Sequence, residues 1–264
     1  MSSFAAFIMG LIQGLTEFFP VSSSAHLKLA KIFFGLQTSE NQVIFDLVCH
    51  FGTLFAVLFF LRRDIFNLFK YERKKLCMLF IATLPLIPCY FLLKPLRDWA
   101  SQTHLLGFFL ILTSAILFAG QHLRFKRMSP PSLRKEVYDV LWIGAMQSTA
   151  LIPGISRSAS TISCAQALGW SPTEAVRFSF LLSIPTIFGG NVLELLKRSA
   201  SMEPAASISF SSCLIGFLSS CIIGFIVIRY AVRMLERGNL RPFAWYCLIM
   251  GIAAAVYLNF FNAL

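Results

Sequence analysis

Charge is scarce in this chain. Asp, Glu, Lys and Arg make up 13% of its 264 residues, against roughly 25% in soluble domains. That shortage excludes an ordinary water-soluble domain. Cysteine appears only singly: Cys49, Cys77, Cys89, Cys164, Cys213, Cys221 and Cys247 stand in mostly apolar runs. Without metal-ligand spacing or a disulfide framework, they read as small core residues. Alternating ten-residue strands are missing, which excludes an outer-membrane barrel. No basic n-region precedes the first apolar stretch, which runs directly into a polar motif, so a cleavable signal peptide is not expected. What the chain has in quantity is hydrocarbon. It is 57% hydrophobic, with 28 Phe and a mean hydropathy of +0.72, the composition of a polytopic helical membrane protein.

The net charge of +11 raises nucleic acid as a partner, but the distribution of charge argues for membrane orientation instead. Loop 62–75 holds Arg62, Arg63, Lys70, Arg73, Lys74 and Lys75; loop 121–137 holds Arg124, Lys126, Arg127, Arg134 and Lys135; loop 229–241 holds Arg229, Arg233, Arg237 and Arg241. These three loops carry fifteen of the 23 basic residues, whereas connections 36–43, 94–104 and 197–206 carry only Lys94, Arg97, Lys197 and Arg198. Cytoplasmic loops are the ones enriched in Lys and Arg, so the first set is expected inside and the second outside. Basic residues beside anionic lipid explain the charge without nucleic acid.

That sidedness constrains topology. Apolar spans near the ~20 residues a bilayer requires are expected at 44–61, 76–93, 105–120, 172–194, 207–228 and 242–262. With loop 62–75 inside, span 44–61 begins outside, and segment 4–35 must enter and leave on that same face. Its Pro20-Val-Ser-Ser-Ser centre splits it into halves too short to span separately. Segment 138–169 must likewise return to the cytoplasmic face. The expected fold class is therefore an all-α polytopic membrane protein with an inverted-topology repeat, each half one re-entrant helical hairpin plus three transmembrane helices. It forms a single membrane domain over 1–264, with repeat 1 at about 1–125 and repeat 2 at about 135–264. Phe51-Gly-Thr-Leu-Phe55 lies opposite Ile184-Pro-Thr-Ile-Phe188 at an offset of 133, as a duplication requires. Gly189-Gly190 and the stretch Gly216 to Gly224 are expected to pack helices closely.

The chemistry is expected at the two hairpin centres. Gln13-Gly-Leu-Thr-Glu17-Phe-Phe-Pro20-Val-Ser22-Ser23-Ser24-Ala-His26 and Gln147-Ser-Thr-Ala-Leu-Ile-Pro153-Gly-Ile-Ser156-Arg157-Ser158-Ala-Ser-Thr161 lie 134 residues apart inside apolar sequence. Each has a Gln eleven residues before a Ser-Ala pair. Charge at membrane depth is costly unless it faces protein or water, so Glu17, His26 and Arg157 mark a site. Broken helices of inverted repeats meet near the midplane, where irregular backbone must line a polar cavity. Backbone N–H groups at helix N-termini, Ser hydroxyls and an Arg fork make a phosphate receptor. Glu17 and His26 are then candidates for proton transfer or metal binding, and one of Ser22, Ser23 and Ser24 for a nucleophile. Most of the serines serve only to satisfy freed backbone groups. His50 and Asp46 fall near the outer end of a span, either interfacial or supporting the site. His104 and His122 read as solvated, and Arg177 as an interfacial anchor.

The Gln13-x-x-x-Glu17 segment with Pro20-Val-Ser-Ser-Ser-Ala-His26, joined to Pro153-Gly-Ile-Ser-Arg-Ser-Ala-Ser-Thr161, closely resembles the undecaprenyl-diphosphate phosphatases of bacteria. The likeness continues through Phe45-Asp-Leu-Val-Cys-His-Phe-Gly-Thr53 and Glu174-Ala-Val-Arg-Phe-Ser-Phe-Leu-Leu-Ser-Ile-Pro185, and covers essentially the whole chain. The resemblance implies an integral membrane enzyme of the bacterial cytoplasmic (inner) membrane, its site opening to the periplasmic or outer side. Such an enzyme removes the terminal phosphate of a C55 isoprenoid diphosphate, recycling the carrier for peptidoglycan synthesis, and confers bacitracin resistance. Carried over by position, Glu17, Ser23, His26 and Arg157 are expected to be catalytic. Gln13, Ser22, Ser24, Ser156, Ser158 and Thr161 are expected around the phosphates. A divalent cation, Mg²⁺ or Ca²⁺, is implied near Glu17 with Gln13. The expected partners are a polyprenyl diphosphate and membrane lipid, with no nucleic acid and a homodimer left open. Two kinds of departure stand out. Gln13 occupies a position where Glu is commoner, and Ala25 and Ala159 stand where Gly is usual.

Three routes fit these residues: attack by Ser23 with His26 or Glu17 taking its proton, direct attack by water with Glu17 as base, or a phosphorylated His26. A polyprenyl-phosphate transporter or flippase is the alternative class. Transport needs neither nucleophile nor proton shuttle, so the Ser, Glu, His and Arg set favours hydrolysis.

Overall fold

The computed structural model describes residues 1–36, 40–123, 132–200 and 209–261. Outside them fall Arg124, Lys126 and Arg127 of loop 121–137, residues 37–39 and 201–206 of two expected connections, and residues 207, 208 and 262 at the ends of expected spans. Helices and turns make up the described residues, with no strand among them.

The chain begins with two short helices, α1 (Ser3–Thr16) and α2 (Ser23–Phe33), separated by a six-residue break. Ser2 caps α1, its Oγ accepting from the Ala5 N–H at 3.2 Å. Pro20 closes the break because it offers no N–H and forces the residue before it away from helical geometry. Then come α3 (Glu40–Phe60), α4 (Arg62–Lys70), α5 (Arg73–Thr83), α6 (Leu86–Leu92), α7 (Lys94–Ala100) and α8 (Leu106–His122). A second broken pair follows: α9 (Leu133–Ser148), a 3₁₀ turn over Thr149–Leu151, and α10 (Arg157–Ala167). α10 ends in a Schellman turn, with Gly169 at φ 91° and the Trp170 N–H reaching the Ala165 carbonyl at 3.0 Å. Three long helices complete the order, α11 (Pro172–Ala200), α12 (Phe210–Glu236) and α13 (Arg241–Val256). α11 opens on a capping box in which Ser171 and Glu174 satisfy each other's N–H groups at 3.2 and 3.0 Å.

Among the described residues, six helical stretches are long and apolar enough to cross a membrane: Val43–Phe60, Arg73–Leu92, Thr103–His122, Pro172–Ser199, Phe210–Glu236 and Arg241–Phe260. They coincide with the six expected spans, with five corrections to the sequence reading. Span 76–93 is two helices, because Pro85 removes an intrahelical donor and the chain crosses the break on three-residue bonds, Leu84 N–H to Ile81 and Ile87 N–H to Leu84, each 3.2 Å. Loop 62–75 contains α4, which buries Leu68 and packs Ile65 against the main core while Phe66 and Phe69 stay exposed. Charge counting alone reads that segment as a loop. α7 likewise occupies much of 94–104, and α12 takes Arg229 and Arg233 into its last turns. Finally, Gly189 and Gly190 face open space and pack no helix.

The other glycine expectation holds. Gly14 of α1 and Gly224 of α12 meet so closely that a Cβ on Gly14 would lie 2.9 Å from the Gly224 nitrogen. Small residues allow this approach, which replaces hydrophobic pressure as the force joining helices in lipid. α1 and α3 both seat on α12, α8 on α13, α5 on α9 and α11 on α3. The large side chains left outside, including Phe55, Phe80, Phe188, Ile222 and Ile249, make an apolar girdle.

Candidate active site

Both helix breaks converge on one open cavity of about 280 Å³. The first is held from two sides by aromatic stacking: Phe18 lies on Phe180 of α11 at 6.0 Å and Phe19 on Phe243 of α13 at 5.5 Å. The second is held by Thr113 of α8, which donates to the Gly154 carbonyl at 2.9 Å and accepts from the Ser156 N–H at 3.1 Å. Gly154 is needed there, at φ 104°, with a Cβ position 2.6 Å from Phe109. Ser158 Oγ joins the two breaks directly, donating to the Phe19 carbonyl at 3.3 Å.

Glu17 is the centre of the polar network. Its Oε1 accepts from Arg157 Nη2 at 2.9 Å, across 140 residues of sequence. Its Oε2 accepts from Ser23 Oγ at 2.7 Å and from Gln13 Nε2 at 3.0 Å. The Glu17 side chain is 5% exposed and Arg157 18%, so the pair is sequestered while the guanidinium still reaches the cavity. Such a charge-assisted bond is short and strong, but removing one partner would strand the other. Gln13 Nε2 also lies 2.8 Å from His50 Nδ1. The same ring nitrogen stands 3.5 Å from the Glu17 carboxylate.

The serine residues fall into distinct roles. Ser23 opens α2, directly after Ser22, whose φ of 68° is the single positive value among described non-glycine residues. Left-handed backbone costs about 1–2 kcal/mol outside glycine, so a strained residue turns the α2 N-terminus and Ser23 toward the cavity. Ser22 Oγ lies 3.3 Å from Ser24 Oγ, and both line the cavity with Ser23. Ser156 caps α10, accepting from the Ala159 N–H at 3.3 Å, and stands 3.2 Å from Ser158. Thus α2 and α10 both aim their N-terminal N–H groups at the cavity that Arg157 enters, an arrangement that attracts anions.

Three expected residues do not line the cavity. Gln13 is fully buried and meets the network at Glu17 and His50. Thr161 is 1% exposed, bonds to the Arg157 carbonyl at 2.9 Å and to Ser179 Oγ at 2.7 Å, and does not line the cavity. His26 does not line it either. Its Nδ1 meets the Ser22 carbonyl at 2.8 Å, and its Nε2 meets the Tyr246 hydroxyl at 2.8 Å beneath a parallel ring. Sequence reading placed Gln147 at the head of the second segment without giving it a role, missed Thr53, Thr113, Asn191 and Tyr246 as members or supports of the site, and left His50 undecided. The signals available were the repeated Gln spacing and the Phe51-Gly-Thr-Leu-Phe55 stretch, which carries Thr53. Asp46 instead pairs with buried Lys31 at 2.5 Å, bolting α2 to α3. Arg177 is mostly exposed beside Glu236 at 3.5 Å, as an interfacial residue would be.

Fold and site together define a multi-span helical membrane protein with one cavity at whose wall a carboxylate meets a serine hydroxyl and a guanidinium. Comparison with known proteins gives the class a family. Residues 6–253 match the family model described as Bacitracin resistance protein BacA, and the chain belongs to that family. It is similar to the undecaprenyl-diphosphatase of Protochlamydia amoebophila, 41% identical over 98% of this chain and 100% of the relative. It is 37% identical to that of Korarchaeum cryptofilum, over 94% and 96%. With that of Carboxydothermus hydrogenoformans it shares 35% identity over 97% of each.

Proposed function

We propose that this membrane protein hydrolyses undecaprenyl diphosphate to undecaprenyl phosphate and inorganic phosphate, recycling the carrier for peptidoglycan synthesis. The observation that carries the proposal is Ser23 Oγ donating to one Glu17 oxygen at 2.7 Å while Arg157 holds the other at 2.9 Å, at the wall of one cavity. Arg157 and the N-termini of α2 and α10 take the terminal phosphate, because phosphoryl transfer needs mainly positioning and charge stabilisation. Ser23 Oγ bonds to the terminal phosphorus and its proton passes to Glu17 Oε2. The bond from phosphorus to the bridging oxygen breaks, that oxygen keeps the electron pair, and the lipid monophosphate departs. Water then bonds to the phosphoserine phosphorus, Ser23 leaves with the proton held on Glu17, and inorganic phosphate carries away both water hydrogens. With both ring nitrogens engaged, His26 serves to hold the Ser22 carbonyl and the α2 N-terminus in place.

The donors present suit a divalent cation. Gln13 Oε1 is buried without a partner among the described residues, beside the Glu17 carboxylate. Gln13 and Glu17 would hold Mg²⁺ or Ca²⁺, hard cations that prefer oxygen ligands. When bound, the ion supplies charge neutralisation. Hydrolysis of the free diphosphate also accounts for bacitracin resistance, since that antibiotic sequesters the same lipid.

The two halves, about 1–125 and 135–264, act as inverted repeats in one membrane domain, each a re-entrant hairpin and three spans. Packing supports this reading, since exchanging the halves turns α1–α12 into α9–α5 and α3–α12 into α11–α5. The site faces the periplasmic side of the bacterial inner membrane, opposite the basic loops. The test is phosphate release from a polyprenyl diphosphate by purified protein in detergent, with acid quench and analysis for phosphoserine at Ser23. A quench yielding no phosphoenzyme at full turnover would assign attack to water, and no phosphate release at all would remove the hydrolase reading.

A further inference from the structure

Both halves open their broken segments on a glutamine, but the residue four positions on differs in kind. Gln13 stands four residues before Glu17, whereas Gln147 stands four residues before Leu151. In the first half the amide is occupied, donating to Glu17 at 3.0 Å. In the second, leucine takes the place of the carboxylate, and Gln147 is left with neither Nε2 nor Oε1 partnered among the described residues, at 2% exposure. Asn191 of α11 is 4% exposed, and its Nδ2 likewise has no partner among them. Both side chains line the cavity that holds Glu17, Ser23 and Arg157. Buried amides bear the desolvation cost of every donor left unsatisfied, so two in one cavity indicate a ligand that supplies the acceptors.

We propose that Gln147 and Asn191 form a neutral second phosphate subsite that receives the inner, lipid-linked phosphate of the diphosphate. This rests on the hydrolase reading above and deepens it. Among the described residues lining the cavity, Arg157 is the one permanently charged cation, and the terminal phosphate bears more negative charge than the inner one. The guanidinium therefore takes the terminal group, and uncharged N–H donors suit the singly charged inner group. As the bond to the bridging oxygen breaks, the electron pair and one unit of charge move onto the inner phosphate. Its bonds to the two amides strengthen, which is a transition-state rather than a ground-state gain. A site of this kind also selects diphosphates over monophosphates, because a monophosphate leaves the amides unpaired.

Binding measurements carry the test, independently of turnover. Full-length protein in detergent, wild type and the variants Gln147→Leu and Asn191→Leu, is titrated calorimetrically with methylene diphosphonate, a two-phosphate probe that cannot be hydrolysed, and separately with inorganic phosphate. Each variant should weaken diphosphonate binding about ten- to hundredfold, the range set by one hydrogen bond to a charged group. Phosphate binding should stay within about threefold, a difference below 1.4 kcal/mol. For polyprenyl diphosphate, kcat should fall more than KM rises. A structural role for the amides would weaken both probes together or lower the unfolding temperature, and unchanged diphosphonate binding would equally overturn the subsite. Wild type that binds diphosphonate in this pattern but releases no phosphate from lipid diphosphate would count against the functional reading and leave the subsite standing.

Discussion

Replacing Arg157 by lysine separates charge from geometry at the centre of the site. Arg157 meets Glu17 at 2.9 Å with 18% of its side chain exposed, so it serves both as the carboxylate's counter-ion and as a cavity wall. Lysine keeps the positive charge, and Glu17 is not left alone in a dry interior. Removing the charge altogether, as in Arg157→Met, would leave it so at a cost of about 3–5 kcal/mol in stability. Lysine loses the planar fork that grips two phosphate oxygens at once, since an ammonium is a point charge. Loss of one preorganised donor to an oxyanion costs roughly 10²–10³ in kcat, or about 2.7–4 kcal/mol of barrier. Arg157→Lys should therefore retain the wild-type unfolding temperature and lose two to three orders of magnitude in phosphate release from polyprenyl diphosphate. The assay is initial-rate phosphate release at saturating divalent cation, beside thermal unfolding of the same preparation. An Arg157→Lys enzyme with near wild-type turnover would refute the assignment of Arg157 as the phosphate clamp.

Other perturbations test neighbouring parts. Ser22→Gly should raise stability by about 1 kcal/mol, because glycine adopts the left-handed backbone at residue 22 without a Cβ clash; an unchanged or lower unfolding temperature would deny that strain is stored there. Asp46→Ala strands Lys31, only 6% exposed in its side chain, and should lower stability by about 3 kcal/mol, recovered in the double variant with Lys31→Met. Recovery is the discriminating readout, since a mere packing defect would be additive. Chelation by EDTA should stop phosphate release and leave thermal unfolding unchanged, because the described residues hold no cluster of three or more His, Cys, Asp or Glu to make an ion part of the fold. Release that persists after chelation would remove the cation from the proposal.

The spans were legible because bilayer thickness imposes a length and composition on each crossing helix, and loops rich in Arg and Lys mark its ends. The two breaks were equally plain, since Pro20 and Pro153 interrupt apolar sequence beside charges that lipid will not solvate. α4 was not, because its apolar stripe is only Ile65, Leu68 and their neighbours in a segment, 62–75, with six basic residues. Nor was the split at Pro85, which a hydropathy window averages away.

Membrane class, helical fold, the approximate spans and the identity of the polar segments follow from local composition, since each is a property of one stretch of chain in lipid. Partnership within those segments is different in kind. That Glu17 meets Arg157 and Ser23, that His26 turns to Tyr246, and that Gln147 is left without a carboxylate depend on how α2, α10, α11 and α13 pack around one cavity. Those distances arise from contacts between residues far apart in the chain, which no local pattern encodes, and tertiary packing alone decides them.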